Sequence, residues 1–412
     1  MIFHRWTAIS IIGALLGRRV YFPLGHRKVY PNQYILLAGS PGARKGSSIS
    51  FGTKLLEDLD FNYFAPSKAA KEALWEWMSK QSLEKEADEW IDDVIDTEYD
   101  PAFFSQAYVA SDEFLDFIGF GDDALMTNLT KLWDNPTKHQ HERTRSKPII
   151  VQKPTINILS GLTPGGVAEA FRGLAASGGF FSRIIFVFSQ PSGKRVTFPS
   201  EPDKDLIEEL HHRLIKISEL EGELQIIRKK GNPVYDFIDS LYKSGFKMPD
   251  GRFAGYSERR IIHFYKLLTI ICAADLTLVP TVDHCILANT ILAVTEQTMP
   301  LALGEFGKSK HADIANRVVD MISNSDLPLT SAFLWKAMAR DVDKPLVLQE
   351  ILQNLVSAER IQRVSTKGSS TAYIAHAASI IKWDSKFVDY SLLHPDEHNE
   401  DTGEIIPIGA KQ

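Results

Sequence analysis

An apolar run that ends in a glycine-rich turn constrains the fold of this chain most. Residues 34–38 read YILLA, and the turn GSPGARKGSS follows directly. A short apolar run bounded by glycine is typical of a buried strand, and the residues after the turn can continue as a helix. Similar runs recur within residues 106–114, 147–164 and 180–189, and a shorter one lies at 61–64. Strands that alternate with helices predict an α/β fold with a largely parallel sheet.

The turn after this strand carries the groups that a phosphate-binding loop needs. Gly39 and Gly42 let backbone N–H groups point toward an anion, and a helix that begins near Ser47 adds its positive end. Lys45 can reach the terminal phosphates of a nucleotide. We therefore expect ATP to bind along the whole loop, at Gly39, Pro41, Gly42, Ala43, Arg44, Lys45, Gly46 and Ser47. The alternative is a glycine–proline turn of a generic α/β protein.

Two residues of the loop depart from the usual phosphate-binding pattern. Arg44 stands where glycine is usual, and it fits there if its backbone angles are ordinary. Gly46 stands where a Ser or Thr hydroxyl normally binds Mg²⁺. Ser47 or Ser48, or a water molecule, would have to supply that ligand instead.

An acidic pair follows the next long apolar run, in AYVASDEF. Asp112 would hold Mg²⁺ directly or through water, and Glu113 would polarise the water that attacks the γ-phosphate. Together with Ser47, Asp112 completes the expected metal site. The alternative is a solvated acidic strand end, which is less expected in this order after a phosphate-binding loop.

An arginine stands at the start of a later apolar strand. Arg183 precedes this strand in GGFFSRIIFVF. Ring ATPases hold an arginine at this position, from which it reaches the γ-phosphate of the adjacent subunit. On its own, Arg183 is better explained as an ordinary arginine at the edge of a sheet.

A basic segment, NPTKHQHERTRSKP, covers residues 135–148. Its alternate positions would fall on one face of a strand, where they would attract the phosphates of single-stranded DNA: His141, Arg143, Arg145 and Lys147. A solvated charged loop is the alternative. His139 and His141 have no cysteine or acid at metal-ligand spacing, so we do not expect a metal site there.

Composition limits the remaining possibilities. The length of 412 residues suggests two or three domains, and the net charge of −6 argues against general coating of nucleic acid. Cys272 and Cys285 fit a reducing cytosol. The apolar N-terminal segment is too short for a membrane span and predicts a buried helix. Residues 68–100 predict a charged helical insertion that is exposed or partly mobile, and Trp75 and Trp77 within it are expected to pack.

The order of YILLAGSPGARKGSS, VASDEF, LTKLWDNPTKHQHERTRSKPIIVQKPTINILSGLTP and GGFFSRIIFVF resembles a P-loop ATPase domain of phages and mobile elements. This family is often joined to primase-polymerase domains and described as helicase-like. The resemblance covers about residues 4–300. The family commonly has Arg-Lys-Ser in its loop, so Arg44 follows the family pattern while Gly46 departs from it.

A more distant similarity is to MCM-type and superfamily-3 AAA+ helicases. FFSRIIFVF is similar to the Ser-Arg-Phe arginine-finger segment of the MCM type, and residues 257–294 are similar to its C-terminal lid. The resemblance implies a second-sensor role for Arg259 or Arg260. It also implies a first-sensor role for Thr163, with Asn157 as the second choice.

The resemblance implies an AAA+-like P-loop NTPase core with a helical lid, followed by a C-terminal winged-helix domain. The basic segment would then be a β-hairpin that projects into the channel of a ring. The expected boundaries are the core with its N-terminal helix at 1–200, the lid at 201–308, the winged helix at 309–380 and a loosely ordered tail at 381–412.

The implied function is that of an ATP-driven ring translocase, a DNA helicase that uses ATP and Mg²⁺. It would act on single-stranded DNA in phage or mobile-element replication, as a homo-oligomeric ring with a hexamer favoured, and a primase or polymerase would be a partner. We expect a cytoplasmic location, that of the bacterial host for a phage protein, without membrane association. Two alternatives stay open: an ATP-dependent DNA-binding loader or initiator that does not unwind, and a degenerate P-loop scaffold.

Overall fold

The chain forms two compact units. The computed structural model describes residues 2–66, 71–88, 103–119, 123–143, 147–171, 179–191, 197–198, 201–303, 312–323, 325, 327–339, 341–342, 344–357, 361–365, 371–375 and 383–393. Described residues within 1–304 and 383–412 form one unit, the core unit, and those within 305–382 form the other, the inserted unit.

The helices and strands have the following bounds. The helices are α1 (Ile2–Leu16), α2 (Lys45–Glu57), α3 (Lys71–Asp88), α4 (Phe114–Ile118), α5 (Asp123–Leu132), α6 (Pro164–Ala170), α7 (Lys204–Ser218), α8 (Pro233–Ser244), α9 (Ala254–Ala274), α10 (Val282–Ala302), α11 (Ala312–Ser323), α12 (Ser331–Met338) and α13 (Pro345–Ser357). The strands are β1 (Val20–Leu24), β2 (Arg27–Val29), β3 (Tyr34–Ala38), β4 (Gln106–Ser111), β5 (Lys138–His141), β6 (Ile149–Gln152), β7 (Thr155–Leu162), β8 (Ile184–Phe188), β9 (Gly222–Glu223), β10 (Leu329–Thr330), β11 (Ile361–Ser365) and β12 (Thr371–Ala375).

A four-stranded parallel sheet lies in the core unit, with its strands in the order β4-β7-β3-β8. Every residue of β3 and β7 is buried, as expected for parallel strands that are covered on both faces. Beside β4, Phe64 forms a single parallel bridge to Tyr108, where the sequence predicts a short strand. The predicted α/β fold with a largely parallel sheet is confirmed.

The two ends of this sheet carry different candidate residues. The glycine-rich loop follows β3 and the acid pair follows β4, and both strands run parallel to β7 between them. The loop and the acids therefore lie at the same end, the carboxyl edge, where open α/β sheets bind their ligands. Arg183 precedes β8, whose first residue Ile184 pairs with Tyr34 at the start of β3. Arg183 therefore lies at the amino edge.

The N-terminal helix α1 is buried, as predicted. Trp6 is fully buried, and its indole N–H donates to the Thr295 hydroxyl of α10 at 2.9 Å. A Cβ on Gly52 of α2 would collide with the side chain of Thr7, so this glycine allows α1 and α2 to pack closely. Among the described residues, no helix is both long and apolar enough to cross a membrane.

The predicted lid belongs to the same compact unit as the sheet. Its two apolar helices, α9 and α10, are separated by a turn, as the sequence predicts, and a capping box between Thr281 and His284 starts α10. The hydroxyl of Thr298 in α10 donates to the Phe188 carbonyl of β8 at 3.3 Å. Helix α10 therefore packs directly on the sheet.

Part of the predicted tail packs on the core unit. The Trp383 ring stacks on Phe246 with centroids 5.4 Å apart, and Phe387 and Leu393 are buried. The Leu393 carbonyl accepts a hydrogen bond from Arg5 of α1 at 3.0 Å. A loosely ordered tail over 381–412 is therefore wrong for residues 383–393, because their apolar side chains cover the core. The rest of the predicted tail, from residue 394, lies outside the described residues.

The inserted unit has its own apolar core. Helices α11, α12 and α13 contribute Val318, Leu334 and Leu352, all nearly fully buried, to one cluster. The strands form an antiparallel sheet in the order β10-β12-β11. The order of three helices followed by a hairpin agrees with the sequence analysis.

Candidate functional site

The glycine-rich loop joins β3 to the first turn of α2. A Cβ on Gly39 would lie 2.6 Å from the Ser189 carbonyl oxygen, and Gly42 has a left-handed φ of 81°. Both positions therefore require glycine. The Lys45 ammonium donates to the carbonyls of Gly39 and Ser40 at 2.7 and 3.2 Å, so the lysine folds back over the loop. Lys45 is the first residue of α2, where the sequence predicts a lysine that would reach phosphates.

Arg44 has the backbone conformation of a glycine. Its φ of 64° and ψ of 29° are left-handed, immediately before α2. The condition that its angles be ordinary is therefore not met. A non-glycine residue in this region costs about 1–2 kcal/mol. Such strain concentrates at functional sites, where the surrounding structure holds the residue in place.

The contacts around position 46 explain why a glycine stands there. A Cβ on this residue would lie 2.9 Å from Oδ1 and 3.3 Å from Oδ2 of Asp112. The Asp112 carboxylate thus lies where a loop Ser or Thr side chain would be, next to the start of α2. Gly46 brings the acid of β4 directly to the phosphate-binding loop.

Residues of β7 hold the acid pair against the loop. A Cβ on Gly161 would overlap the Asp112 carbonyl oxygen, so the two backbones approach each other closely. The Ser160 hydroxyl donates to the Ser111 carbonyl at 2.8 Å. Glu113 begins α4 and is exposed. Gly161 was not identified from the sequence, because nothing in TINILSGL marks a backbone contact to β4.

Glu113 and Lys45 interact electrostatically. Burial lowers the pKa of the Lys45 ammonium, and the Glu113 carboxylate opposes this by raising it. A carboxylate that stabilises the charged lysine must lie near it, because Coulomb interactions fall off with distance. The structure thus brings Lys45, Asp112 and Glu113 together at the carboxyl edge.

The serines after Gly46 differ in their environment. Ser48 is fully buried and its hydroxyl lies 2.9 Å from the Thr7 hydroxyl, so it packs on α1 instead of facing the loop. Ser47 is exposed. The described residues contain no group of three or more His, Cys, Asp or Glu side chains that could hold a metal ion. One carboxylate near a phosphate loop nevertheless fits Mg²⁺, which keeps several waters and binds one or two carboxylates plus substrate phosphates.

Thr163 follows the carboxyl end of β7, at the same edge as the acid pair. Its hydroxyl accepts a hydrogen bond from the Gly166 N–H at 3.0 Å and still has its own O–H to donate. Asn157 lies in the first half of β7, is fully buried, and accepts from the Gln33 N–H at 2.9 Å. Asn157 is therefore structural, and Thr163 is the first-sensor candidate.

Arg183 is buried at the amino edge, in a 3-10 turn before β8. Its guanidinium donates to Asp134 at 2.8 Å and to the Gly179 carbonyl at 2.8 Å. β3 and β8 each have five residues, and at about 3.3 Å per residue the sheet separates this edge from Lys45 by about 16 Å. Arg183 therefore cannot reach the phosphate loop of its own chain.

The two candidate second-sensor arginines have different environments. Arg260 is 2% exposed, pairs with Glu296 at 2.7 Å, and lies 4.5 and 4.4 Å from the Phe246 and Trp383 ring centroids. This position is structural, since Arg260 joins α9 to α10 and to the returning chain. Arg259 is half-buried, and its pKa is lowered by burial and by Arg183. Arg259 thus interacts electrostatically with Arg183, Asp134 and Arg27.

The basic segment forms a hairpin, with β5 and β6 antiparallel. Its strand ends at His141, so Arg143 lies in the connecting loop and the predicted single face is not formed. His141 is half-buried and Lys147 is exposed. Arg145 lies outside the described residues.

Helix α3 packs against this hairpin. The ring of His139 lies 4.8 Å from Trp75, and burial lowers its pKa to about 4. Arg143 forms ion pairs with Glu72 and Glu76. Leu74, Trp75 and Met78 are fully buried. Glu72 and Glu76 lie on the exposed side of this predicted helix, and Trp75 packs as predicted. The helix is not exposed throughout, because its apolar side covers the hairpin. Residues 68–70 and 89–100 of the predicted insertion lie outside the described residues.

No protein-family model matches this chain, and no curated protein matches it either. The function therefore has to be inferred from the residues and their geometry.

Restoring the usual serine at position 46 is expected to harm the site. In Gly46→Ser the new side chain would push against the Asp112 carboxylate, and a misplacement of about 1 Å can cost about 10²-fold in rate. We expect steady-state ATP turnover to fall by that order. Gly165→Ser is the control, because nothing lies within 4 Å of a Cβ there. If Gly46→Ser turned over ATP as fast as the unmodified protein, Asp112 would not act from this position.

Proposed function

We propose that this chain is an ATP-hydrolysing ring translocase that acts as a helicase on single-stranded DNA in phage or mobile-element replication. One observation carries the ATPase part of the proposal. The Asp112 carboxylate lies against Gly46 at the start of α2, and the same acid pair places Glu113 near Lys45. A lysine, a metal-binding acid and a water-activating acid are the groups that phosphoryl transfer to water requires.

Each residue would have a defined task. The loop N–H groups and Lys45 would bind the β- and γ-phosphates, for which the lysine would leave the Gly39 and Ser40 carbonyls. Glu113 would take a proton from the attacking water. Thr163 would donate its O–H toward the γ-phosphate. Asp112 would hold Mg²⁺, which neutralises charge on the phosphates.

The position of Arg183 supports the proposed ring. An arginine that stabilises the transferred phosphoryl group greatly accelerates hydrolysis, and it can come from another subunit. Arg183 and the phosphate loop lie at opposite edges of one sheet. Only a second copy can bring the two edges together, which supports a homo-oligomeric ring. The hexamer, the AAA+-like core and the winged-helix assignment of the inserted unit come from the family resemblance.

The test combines ATP turnover with strand displacement. We expect turnover in the presence of single-stranded DNA, and displacement of a strand from forked DNA, to be lost in Lys45→Ala. Lys54→Ala is the control, because this lysine of α2 is exposed and lies well past the loop. Equal, near-zero turnover in the unmodified protein and in Lys45→Ala would overturn the proposal and leave the degenerate P-loop scaffold.

A loader or initiator switch is the second candidate, and the basic hairpin favours it. The ion pairs of Arg143 with α3, and the packing of His139 on Trp75, hold the connecting loop and the first strand of the hairpin against α3. Such a hairpin is less free to move along DNA with each hydrolysis step. ATP turnover that depends on Lys45 but displaces no strand would identify this function.

A further inference from the structure

Two arginines contact one carboxylate at the amino edge, and a third arginine interacts with this group electrostatically. Arg27 comes from β2, Arg183 from the turn before β8 and Arg259 from α9. Asp134, just after α5, lies 3.5 Å from Arg27 and 2.8 Å from Arg183. Arg259 is close enough for the charges of these other three residues to shift its pKa.

The charges of this group, the arginine cluster, do not balance. The three guanidinium groups are positive throughout the physiological pH range, and Asp134 is the carboxylate among them. Burial, the largest cause, and the charges of Arg183 and Arg27 lower the pKa of Arg259, while Asp134 raises it. Like charges held together cost free energy unless an anion compensates them. With one carboxylate against three guanidinium groups, the arginine cluster carries a net positive charge.

One N–H group of the Arg183 guanidinium also lacks a hydrogen-bond partner in the described part of the chain, although its two terminal nitrogens donate to Asp134 and Gly179. Arg183 is 7% exposed, and its Nε–H is buried without a partner among the described residues. A buried donor left unpaired costs about 1–3 kcal/mol. The neighbouring Arg27 and Asp134 side chains are 55% and 34% exposed, so an anion from outside can approach the cluster.

We infer that the arginine cluster binds the terminal phosphate of a nucleotide held by a second copy of this chain, and that Asp134 is an internal counter-ion displaced by that phosphate. The inference rests on the proposed function and adds three residues to it, Arg27, Arg259 and Asp134. The two oxygens of Asp134 each serve a different arginine. A phosphate offers an additional oxygen and a larger charge, which would provide for Arg259 as well.

The proposed exchange has a consequence for the resting protein. While Asp134 occupies Arg183, this arginine is neutralised and held within its own chain. The exchange couples arrival of a loaded neighbour to release of Arg183 and would suppress hydrolysis outside the ring. The sequence did not indicate that Arg27 or Asp134 belongs to this site, because the two residues lie in separate segments without a shared motif.

The first test measures anion binding without any turnover. Inorganic pyrophosphate is titrated calorimetrically into the full chain carrying Lys45→Ala, which disables the phosphate loop. In this background we expect Asp134→Asn to bind pyrophosphate about tenfold more tightly, and Arg27→Ala about tenfold more weakly. Asp275→Asn is the control, because Asp275 also contacts two basic side chains, Arg213 and His284, but away from the cluster.

Unchanged affinity in both Asp134→Asn and Arg27→Ala would overturn the inference. Arg27→Ala alone decides the outcome if Asp134→Asn does not fold, since the Arg27 side chain is largely exposed. These results do not depend on ATP hydrolysis, so a protein that binds pyrophosphate at the cluster but never turns over ATP would refute only the proposed function.

The second test concerns the neighbouring copy. Lys45→Ala chains have an intact arginine cluster, and Arg27→Ala chains have an intact phosphate loop. Mixing them is expected to restore ATP turnover above the sum of the separate variants, because complete sites form between unlike copies. Absence of any recovery, with both variants folded, would overturn the assignment of the phosphate to a second copy.

Discussion

Glu113→Gln is expected to abolish ATP turnover while ATP binding is kept. The amide is nearly the same size as the carboxylate but cannot accept a proton from water. Loss of a general base typically lowers the rate about 10²–10⁴-fold. Glu113 is exposed at the start of α4, so the substitution does not disturb the core. Turnover is measured by phosphate release, and binding by titration with an ATP analogue.

A neighbouring acid provides the control for this experiment. Asp116 lies in the first turn of the same helix and is also exposed. Asp116→Asn removes the same charge from α4 and should leave turnover close to that of the unmodified protein. Equal losses in both variants would mean that the negative charge of this helix matters and that Glu113 is not the base.

Gly161→Ala is expected to cause the largest loss of stability of any single methyl group added to the site. Its Cβ would overlap the Asp112 carbonyl oxygen, which belongs to the backbone and cannot rotate away. Overpacking of this kind costs about 3 kcal/mol. Separation of β7 from the end of β4 would also move the acid pair from the loop, so turnover should fall about 10²-fold. Thermal unfolding and ATP turnover measure the two effects.

Gly165→Ala separates backbone collision from a general effect of replacing glycine. This residue lies in α6, and nothing lies within 4 Å of a Cβ there. Alanine in a helix is more stable than glycine by about 0.5–1 kcal/mol, so the control should unfold at a slightly higher temperature. A Gly161→Ala protein as stable and active as this control would show that β4 and β7 do not depend on this close approach.

The strands of the sheet could be predicted because their side chains are apolar on both faces, as burial requires. YILLA and the residues around Ile185 are apolar throughout, as buried parallel strands must be. The hairpin of β1 and β2 was missed. Its short second strand begins with Arg27 and Lys28, which are both exposed. The strand therefore lacks the alternation of polar and apolar residues by which a strand can be predicted. A charged pair in so short a segment is typical of a loop.

The candidate site was only partly predictable, for a different reason. Lys45, Asp112 and Glu113 belong to local patterns that require nothing from the rest of the chain. A glycine is needed at position 46 because the Asp112 carboxylate lies against it, and this contact exists only once the strands are assembled in the sheet. In the sequence, Arg260 is a candidate second sensor. In the structure, Glu296 and two aromatic rings surround it, so its role is structural. Sequence patterns identify the types of residue, while contacts between distant segments decide which of them can act.

The chain leaves the core unit before the inserted unit and returns to it at Trp383. The inserted unit is therefore joined to the core unit by two chain segments, whereas a terminal domain is joined by one. A single proteolytic cut in either attachment would leave it connected to the core unit. Truncation at residue 304 would remove Trp383 as well, and with it one of the two rings that cover Arg260. Clean removal of the inserted unit requires excision of residues 305–382 and rejoining of the ends, so that the returning segment keeps its place on α9.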